Sequence, residues 1–352
     1  AGLGRMLFFD TRLSAGRNQS CASCHDPSRA FSDPGDGAPG GAVSIGSDAV
    51  SLGDRNAPSL VYASQVPAFR RDATGEFLGG LFLDGRASTL LDQAKEPITN
   101  PIEMALPDAA GMRERLLEDD VYAGPFERLL GASSLATAEQ ALQSVATAIT
   151  AFERGDDFAP FDSKYDRYLR GEVALTEEEE TGRALFFSDL VNCSQCHLLD
   201  RREAMPQEVF TNHRYHNIGV PPNPAVRREN GLGTGHVDGG LLQNPAVADE
   251  AQRGRFRVPS LRNVAVTGPY MHNGVFQKLE TAVVFYNRFL LDSEESRVNP
   301  ETGLPWDEPE VPGSVDLELL GGGQPLTARH VSHLVAFLRT LTDRRYEHLL
   351  GD

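Results

Sequence analysis

The chain has four cysteines, and all of them fall in two short segments, Cys21-Ala22-Ser23-Cys24-His25 and Cys193-Ser194-Gln195-Cys196-His197. Both read C-x-x-C-H, the signature of covalent haem attachment. The chemistry sets the spacing. Two cysteines three apart reach the two vinyl groups on one porphyrin edge, and the adjacent histidine turns its imidazole onto the iron. A lone C-x-x-C reads better as zinc or redox. Here two complete motifs use every cysteine, so the expectation is two haem c groups, with His25 and His197 as iron ligands.

The residues ahead of each motif repeat as well. Gly4-Arg5-Met6-Leu7-Phe8-Phe9 precedes the first, and Gly182-Arg183-Ala184-Leu185-Phe186-Phe187 precedes the second. The pattern G-R-x-L-F-F thus stands in the same relation to C-x-x-C-H about half a chain length apart. The simplest reading is an internal duplication with one haem domain per half. A chain of 352 residues is long enough for two such cores. The expected division is residues 1–160, carrying the first haem, and 161–352, carrying the second.

A formal charge of −17 argues against nucleic acid and anionic membranes as partners and would suit a basic redox protein. No apolar run approaches the ~20 residues that span a bilayer. No basic-then-apolar leader stands at Ala1, as in a mature chain whose signal peptide has been removed. Haem is joined to C-x-x-C-H outside the bacterial cytoplasmic membrane, so the expected compartment is the periplasm.

The pattern is mostly helix and long loop. Residues 32–58 and 200–260, rich in Gly, Pro and small polar residues, read as loops. Residues 138–153 read as a helix closing the first domain, with Asp156 to Gly171 as the crossing. Thr176 with Glu179 forms a capping box, and Glu177 to Glu180 suit the positive helix end. Thr327 caps a last helix with an apolar stripe of Val331, Leu334, Val335, Leu338 and Leu341. Strand signals are few. The expected fold class is mainly α, two cytochrome c-like domains.

An enzyme needs one iron with an open face. No histidine lies between His25 and His197, so the first haem takes no second imidazole from its own half. Met6, Met104 and Met112 leave a His/Met haem open by counting alone. The segment Leu81-Phe82-Leu83-Asp84-Gly85-Arg86-Ala87-Ser88, with Gln93, Pro97 and Glu103-Met104 after it, resembles the distal-pocket segment of the bacterial di-haem cytochrome c peroxidase and MauG family. With both haem motifs and a C-terminal segment, the resemblance covers essentially the whole chain. It implies that Gln93, Pro97 and Glu103 line the open face of the first haem. Proline would hold water weakly there, and glutamate would move a proton between peroxide oxygens. Glutamine would orient that exchange. Family peroxidases that need reductive activation carry a loop histidine absent here, which implies an open first haem without prior reduction.

For the second haem, Thr267-Gly268-Pro269-Tyr270-Met271-His272-Asn273-Gly274 and the following helix matter. Leu279, Val283, Tyr286 and Leu290 share one helical face. The resemblance implies a sixth ligand at Tyr286, where the peroxidases carry methionine and the MauG branch tyrosine. A phenolate would stabilise the higher iron oxidation states. Met271, Met205 and His216 are competing ligands. The resemblance also implies one calcium ion between the haems, held by the Asn56 side chain and the carbonyls of Thr267 and Pro269, oxygen donors that suit it. Asn56 alone reads equally as a turn residue.

Two departures stand out. Leu83 and Val191 occupy positions where the family, or its MauG branch, has tryptophan, so hopping through either is absent. The only tryptophan, Trp306, lies in a Pro-rich loop. His330 with His333 could bind a metal at helical spacing but reads better as a wet face, and His216 beside His213 could hold a haem propionate. The expected function is a periplasmic peroxidase taking hydrogen peroxide at the first haem, with the second supplying or storing oxidising equivalents. Its partner would be a small redox protein, a cytochrome c or a cupredoxin. The alternatives are MauG-like oxidative maturation of a protein substrate, and a non-catalytic di-haem electron carrier.

Overall fold

The repeated G-R-x-L-F-F segment has a packing reason. In a computed structural model of the chain, which describes residues 1–35, 39–198, 207–290 and 295–351, Gly2–Phe8 and Ala138–Glu153 are helices that cross at Gly4. A Cβ built on Gly4 would stand 1.8 Å from the Ala148 carbonyl oxygen and 2.9 Å from Phe152 Cβ. Helices Glu177–Phe187 and Ala328–Arg339 cross in the same way. There a Cβ on Gly182 would lie 1.8 Å from the His333 oxygen and 2.9 Å from Phe337 Cβ. Only glycine lets the two backbones approach so closely. The motif phenylalanines complete each contact: Phe8 packs edge-on to Phe152 at 5.3 Å and Phe186 against Phe337 at 5.2 Å.

The fold is mainly helical with little sheet. Among the described residues the strands form three antiparallel two-stranded pairs, such as Tyr215–His216 with Phe256–Arg257. The helix expected over residues 138–153 is Ala138–Glu153, started by a Thr137 side chain that accepts the Gln140 N–H. Thr176 and Thr327 both close capping boxes. The five stripe residues of the last helix and its end are all buried. The expected crossing from Asp156 to Gly171 is more structured than a linker, with a 3-10 turn Asp156–Phe158 and a helix Lys164–Leu169. No helix among the described residues is long and apolar enough to cross a membrane.

One apolar cluster draws only on the first half, from Leu3 to Ile149, and another only on the second, from Tyr165 to Leu341. A third, with Phe8, Phe31, Tyr62, Phe158, Val209 and Tyr346, draws on both. Buried polar groups join the halves too. Arg55 donates to both oxygens of Asp238 at 2.7 Å and to Asp84 at 2.6 Å. Its fork matches a carboxylate in two places, which fixes geometry more than it adds stability.

Candidate functional site

Each C-x-x-C-H segment folds into one helical turn, Cys21–Cys24 and Cys193–Cys196, with its histidine at the C-terminal cap. The histidine N–H closes the turn onto Cys21 O at 2.9 Å and Cys193 O at 3.0 Å. The His25 Nδ1 lies 3.1 Å from the Phe31 carbonyl and the His197 Nδ1 3.2 Å from the Phe210 carbonyl. Both acceptor residues have left-handed backbones, φ 52° at Phe31 and 54° at Phe210, so the same unfavourable conformation recurs at both sites. With Nδ1–H donating, each imidazole keeps its Nε2 lone pair for a metal. Burial lowers the pKa of both rings, to about 4 at His197, so they stay neutral. None of the four cysteines is in a disulfide. Two thiols one turn apart beside a neutral, oriented imidazole are the donor set that haem c requires, and both segments fit the group.

At the first segment, Glu103 lies within electrostatic reach of Cys24. Burial, opposed by Ser44 and reinforced by Asp33 and Glu103, pushes the Cys24 thiol up to about 11. The Glu103 carboxyl is itself raised, by burial first and by Glu96, against Arg86 and the Asn100 amide. That amide donates to Glu103 Oε1 at 2.8 Å. A half-buried carboxyl with a raised pKa and one fixed oxygen suits proton transfer. Gln93 ends the Leu90–Gln93 helix, and Pro97 sits in the first turn of Glu96–Thr99. The Pro97 carbonyl accepts the Met104 N–H at 3.2 Å, which brings Pro97 back beside Glu103. Asp84 of the D-G-R-A segment is fully buried and accepts from Arg55 and Arg86, bracing this wall.

At the second segment, burial first, and then Cys196 and Cys193, raise the Tyr286 phenol. Its hydroxyl therefore lies within electrostatic reach of both attachment cysteines. The helix expected through Leu290 is shorter: the α-helix Leu279–Val284 tightens into a 3-10 segment Phe285–Phe289. Asn287 explains the change. Its side chain donates to Leu326 O at 2.7 Å and accepts the Leu326 N–H at 2.7 Å, fixing the segment to the start of the last helix. The four-residue face of the sequence pattern is thus broken just before Tyr286. Met271, a competing ligand, packs into an apolar cluster with Phe276 and Phe285, and Met205 lies outside the described residues. The His216 Nδ1–H donates to Asp316 Oδ2 at 2.9 Å. Burial lowers its pKa, but Asp316 and Cys196 outweigh that and raise it to about 9, leaving it a cation beside the second attachment turn.

Of the residues expected to hold calcium, Asn56 and Pro269 lie side by side. The Asn56 side chain lies 3.4 Å from the Pro269 carbonyl, and the Asn56 N–H donates to His272 O at 2.7 Å. Thr267 follows the turn Val264–Val266 one residue before the cis Gly268-Pro269 bond. A cavity of about 400 Å³, lined by Arg29, Asp33, Val266, Pro269 and Tyr270 among others, opens beside these residues.

His330 serves the capping box, and His330 with His333 belongs to no metal-type cluster among the described residues. Leu83 is buried, with φ 61°, and its carbonyl accepts the Arg257 N–H at 2.8 Å. Sequence reasoning passed over Glu153, the last residue of Ala138–Glu153. It is buried near Cys21, its Oε2 has no hydrogen-bond partner among the described residues, and burial pushes its pKa up to about 8. A lone acid on an apolar helix face was the available signal. It also passed over Arg262, which donates to Glu208 O at 2.8 Å and to Asp166 at 2.9 Å beneath the Phe210 ring. Its partners are too distant in sequence to leave a local pattern.

Residues 1–174 match the family profile described as di-haem cytochrome c peroxidase. The methylamine utilization protein MauG of Paracoccus denitrificans is 53% identical over 352 residues, covering 100% of this chain and 90% of that protein. The cytochrome c551 peroxidase of Nitrosomonas europaea is 31% identical over 349 residues, covering 97% and 79%. Among solved structures, the diheme peroxidase BthA of Burkholderia thailandensis superposes with a TM-score of 0.84 at 35% identity, covering 98% of this chain and 86% of that one. Identity of that extent along the full length settles the family: this chain belongs to the di-haem cytochrome c peroxidase and MauG family of oxidoreductases.

Proposed function

We propose that this chain reduces hydrogen peroxide at an open first haem held by Cys21, Cys24 and His25. The observation that carries the reading is Glu103, half-buried, raised in pKa and within electrostatic reach of Cys24, in a half whose one histidine is His25. The haem, held there by Cys21, Cys24 and His25, would supply the redox chemistry at an open iron. The chain does the proton work. Glu103 accepts the proton of the near oxygen and passes it to the far oxygen, so that water departs rather than hydroxide. Asn100 holds Oε1, leaving Oε2 to make that exchange. Gln93 orients peroxide, and Pro97 offers no donor that would retain water. His25 and His197, aligned by Phe31 and Phe210, hold the two irons.

Tyr286 is the sixth ligand of the second haem in this reading, and Asn56 with the carbonyls of Thr267 and Pro269 holds one calcium ion. The two halves, 1–160 and 161–352, are duplicated haem domains, which the matching glycine crossings support. The compartment is the periplasm, and the electron donor is a small redox protein. A second reading, oxidative maturation of a protein substrate, is favoured by the 53% identity to a methylamine utilization protein along the whole chain. Leu83 and Val191 weigh against a tryptophan-relayed version of it.

The test is a peroxide titration of the fully oxidised protein, followed by absorption and EPR spectra. A high-spin first haem that binds cyanide and reacts at once supports the reading. Two low-spin haems inert to peroxide would leave an electron carrier. Peroxide turnover that stalls with small redox donors but proceeds with a protein substrate selects the second reading.

A further inference from the structure

Trp306 is not a loop ornament. It is the only tryptophan in the chain, and its side chain is buried. Its ring lies 5.4 Å from Phe276 and 5.1 Å from Phe285, both edge-on, in a cluster with Val220 and the partly buried Tyr270. Phe285 in turn lies 6.4 Å from the ring of Tyr286. The indole Nε1–H donates to the Ser296 carbonyl at 2.9 Å, and the Trp306 N–H donates to Arg297 O at 2.9 Å. The only indole in the chain is therefore fixed two aromatic contacts from Tyr286, with the fully buried Phe285 between them.

We propose that Trp306 is an internal electron donor that discharges the second haem when no external reductant arrives. The proposal rests on the reading of Tyr286 as that haem's ligand. Phenylalanine is too hard to oxidise to hold a charge, so Phe285 serves as packed medium between Tyr286 and Trp306. Trp306 loses one electron toward the haem. Its N–H proton stays in place because a backbone carbonyl is too weak a base to take it, so the product is an indole radical cation. Return of an electron from the redox partner restores the indole. Loss of a second electron, with addition of one water and release of two protons, gives a hydroxylated tryptophan. Overall one hydrogen peroxide takes up the two electrons and two protons and leaves as two waters, while the indole gains the oxygen of the one water added to it. Leu83 and Val191 make this outlet matter, because neither can be oxidised in its place.

The experiment uses the fully haem-loaded protein and one equivalent of hydrogen peroxide without reductant. Tryptophan deuterated on the indole ring labels one residue only. The expected result is a freeze-quenched EPR radical whose hyperfine pattern narrows on that labelling. Peptide mass spectrometry then finds one added oxygen on Trp306, and adding a redox donor beforehand suppresses it. Trp306→Phe keeps the aromatic packing and is expected to lengthen the life of the oxidised state several-fold. A radical insensitive to indole deuteration, with unmodified Trp306, overturns the proposal. If Trp306→Phe loads haem poorly, the labelled wild-type spectrum decides alone. The Tyr286 reading is checked separately by the resting low-spin signal of Tyr286→Phe before peroxide is added. An unchanged signal sinks the ligand assignment even where Trp306 is oxidised.

Discussion

Tyr62 Oη donates to Asp343 Oδ1 at 2.6 Å, a hydrogen bond between buried side chains in opposite halves of the chain. The same phenol accepts the Phe161 N–H at 3.1 Å, and Asn263 donates to the other Asp343 oxygen at 2.6 Å. The Arg262 guanidinium lies 5.2 Å above the Tyr62 ring. Every member of this network has a partner, which is the condition under which buried polar groups specify one arrangement. Tyr62→Phe fills the same volume but leaves Asp343 and the Phe161 N–H each short of a partner. The expected loss is about 1–3 kcal/mol. Denaturant unfolding of the haem-loaded protein measures it, and a variant as stable as wild type would show the network to be redundant.

The glycine crossings give a second, harsher expectation. Gly4→Ala and Gly182→Ala each place a methyl carbon 1.8 Å from a carbonyl oxygen. Neither helix can keep its position. Each variant should lose more than the ~1–3 kcal/mol of ordinary overpacking, because backbone rather than a flexible side chain must move. Thermal unfolding and haem content report it. Since each crossing lies next to one attachment turn, Gly4→Ala should weaken incorporation of the first haem and Gly182→Ala of the second.

Glu153 makes a pH-dependent expectation. Its folded pKa of about 8 lies above the ordinary carboxylate value, so the unfolded chain ionises first as pH rises. The stability its neutral form provides is complete below the ordinary carboxylate range and is lost as pH rises towards about 8. Glu153→Gln keeps the neutral shape and should flatten that decline, being more stable than wild type near pH 9. Unfolding curves from pH 5 to 9 on both proteins check this; parallel declines would mean that Glu153 finds a cation or a partner in the haem-loaded protein.

The parts of the fold that a reader of the sequence can recover are those fixed locally. Thr137, Thr176 and Thr327 cap helices through residues three positions on, and the apolar stripe from Val331 to Leu341 follows helical spacing. What escapes is set by distant partners. The 3-10 tightening at Phe285–Phe289 comes from Leu326, which Asn287 reaches across 39 residues. Trp306 sits among Pro and acidic residues and reads as loop, yet Phe276 and Phe285 bury it. Arg262 finds Asp166 across 96 residues, and no local pattern announces that pair. The attachment turns are legible to the residue. Their hydrogen-bond acceptors Phe31 and Phe210 are not, because the left-handed backbone that presents each carbonyl falls on an unremarkable phenylalanine.

Glu103→Gln tests the proposed proton transfer. Glutamine keeps the size of the side chain and can still accept from the Asn100 amide, so packing around Cys24 should hold. It cannot take up and return a proton. A positioned acid–base group contributes about 10²–10⁴-fold to rate, and peroxide reduction should fall by that order. The resting spectrum and both haem potentials should stay close to wild type. Because Glu103 is raised by burial while Arg86 draws it down, the wild-type rate should fall at low pH, where the carboxyl is already protonated and cannot accept. That acid limb should vanish in Glu103→Gln along with the rate. Should the variant keep both its rate and its acid limb, proton transfer belongs to another group. Glu96 is then first in line, since its carboxylate lies close enough to Glu103 to raise it and is held by Arg86 at 3.1 Å.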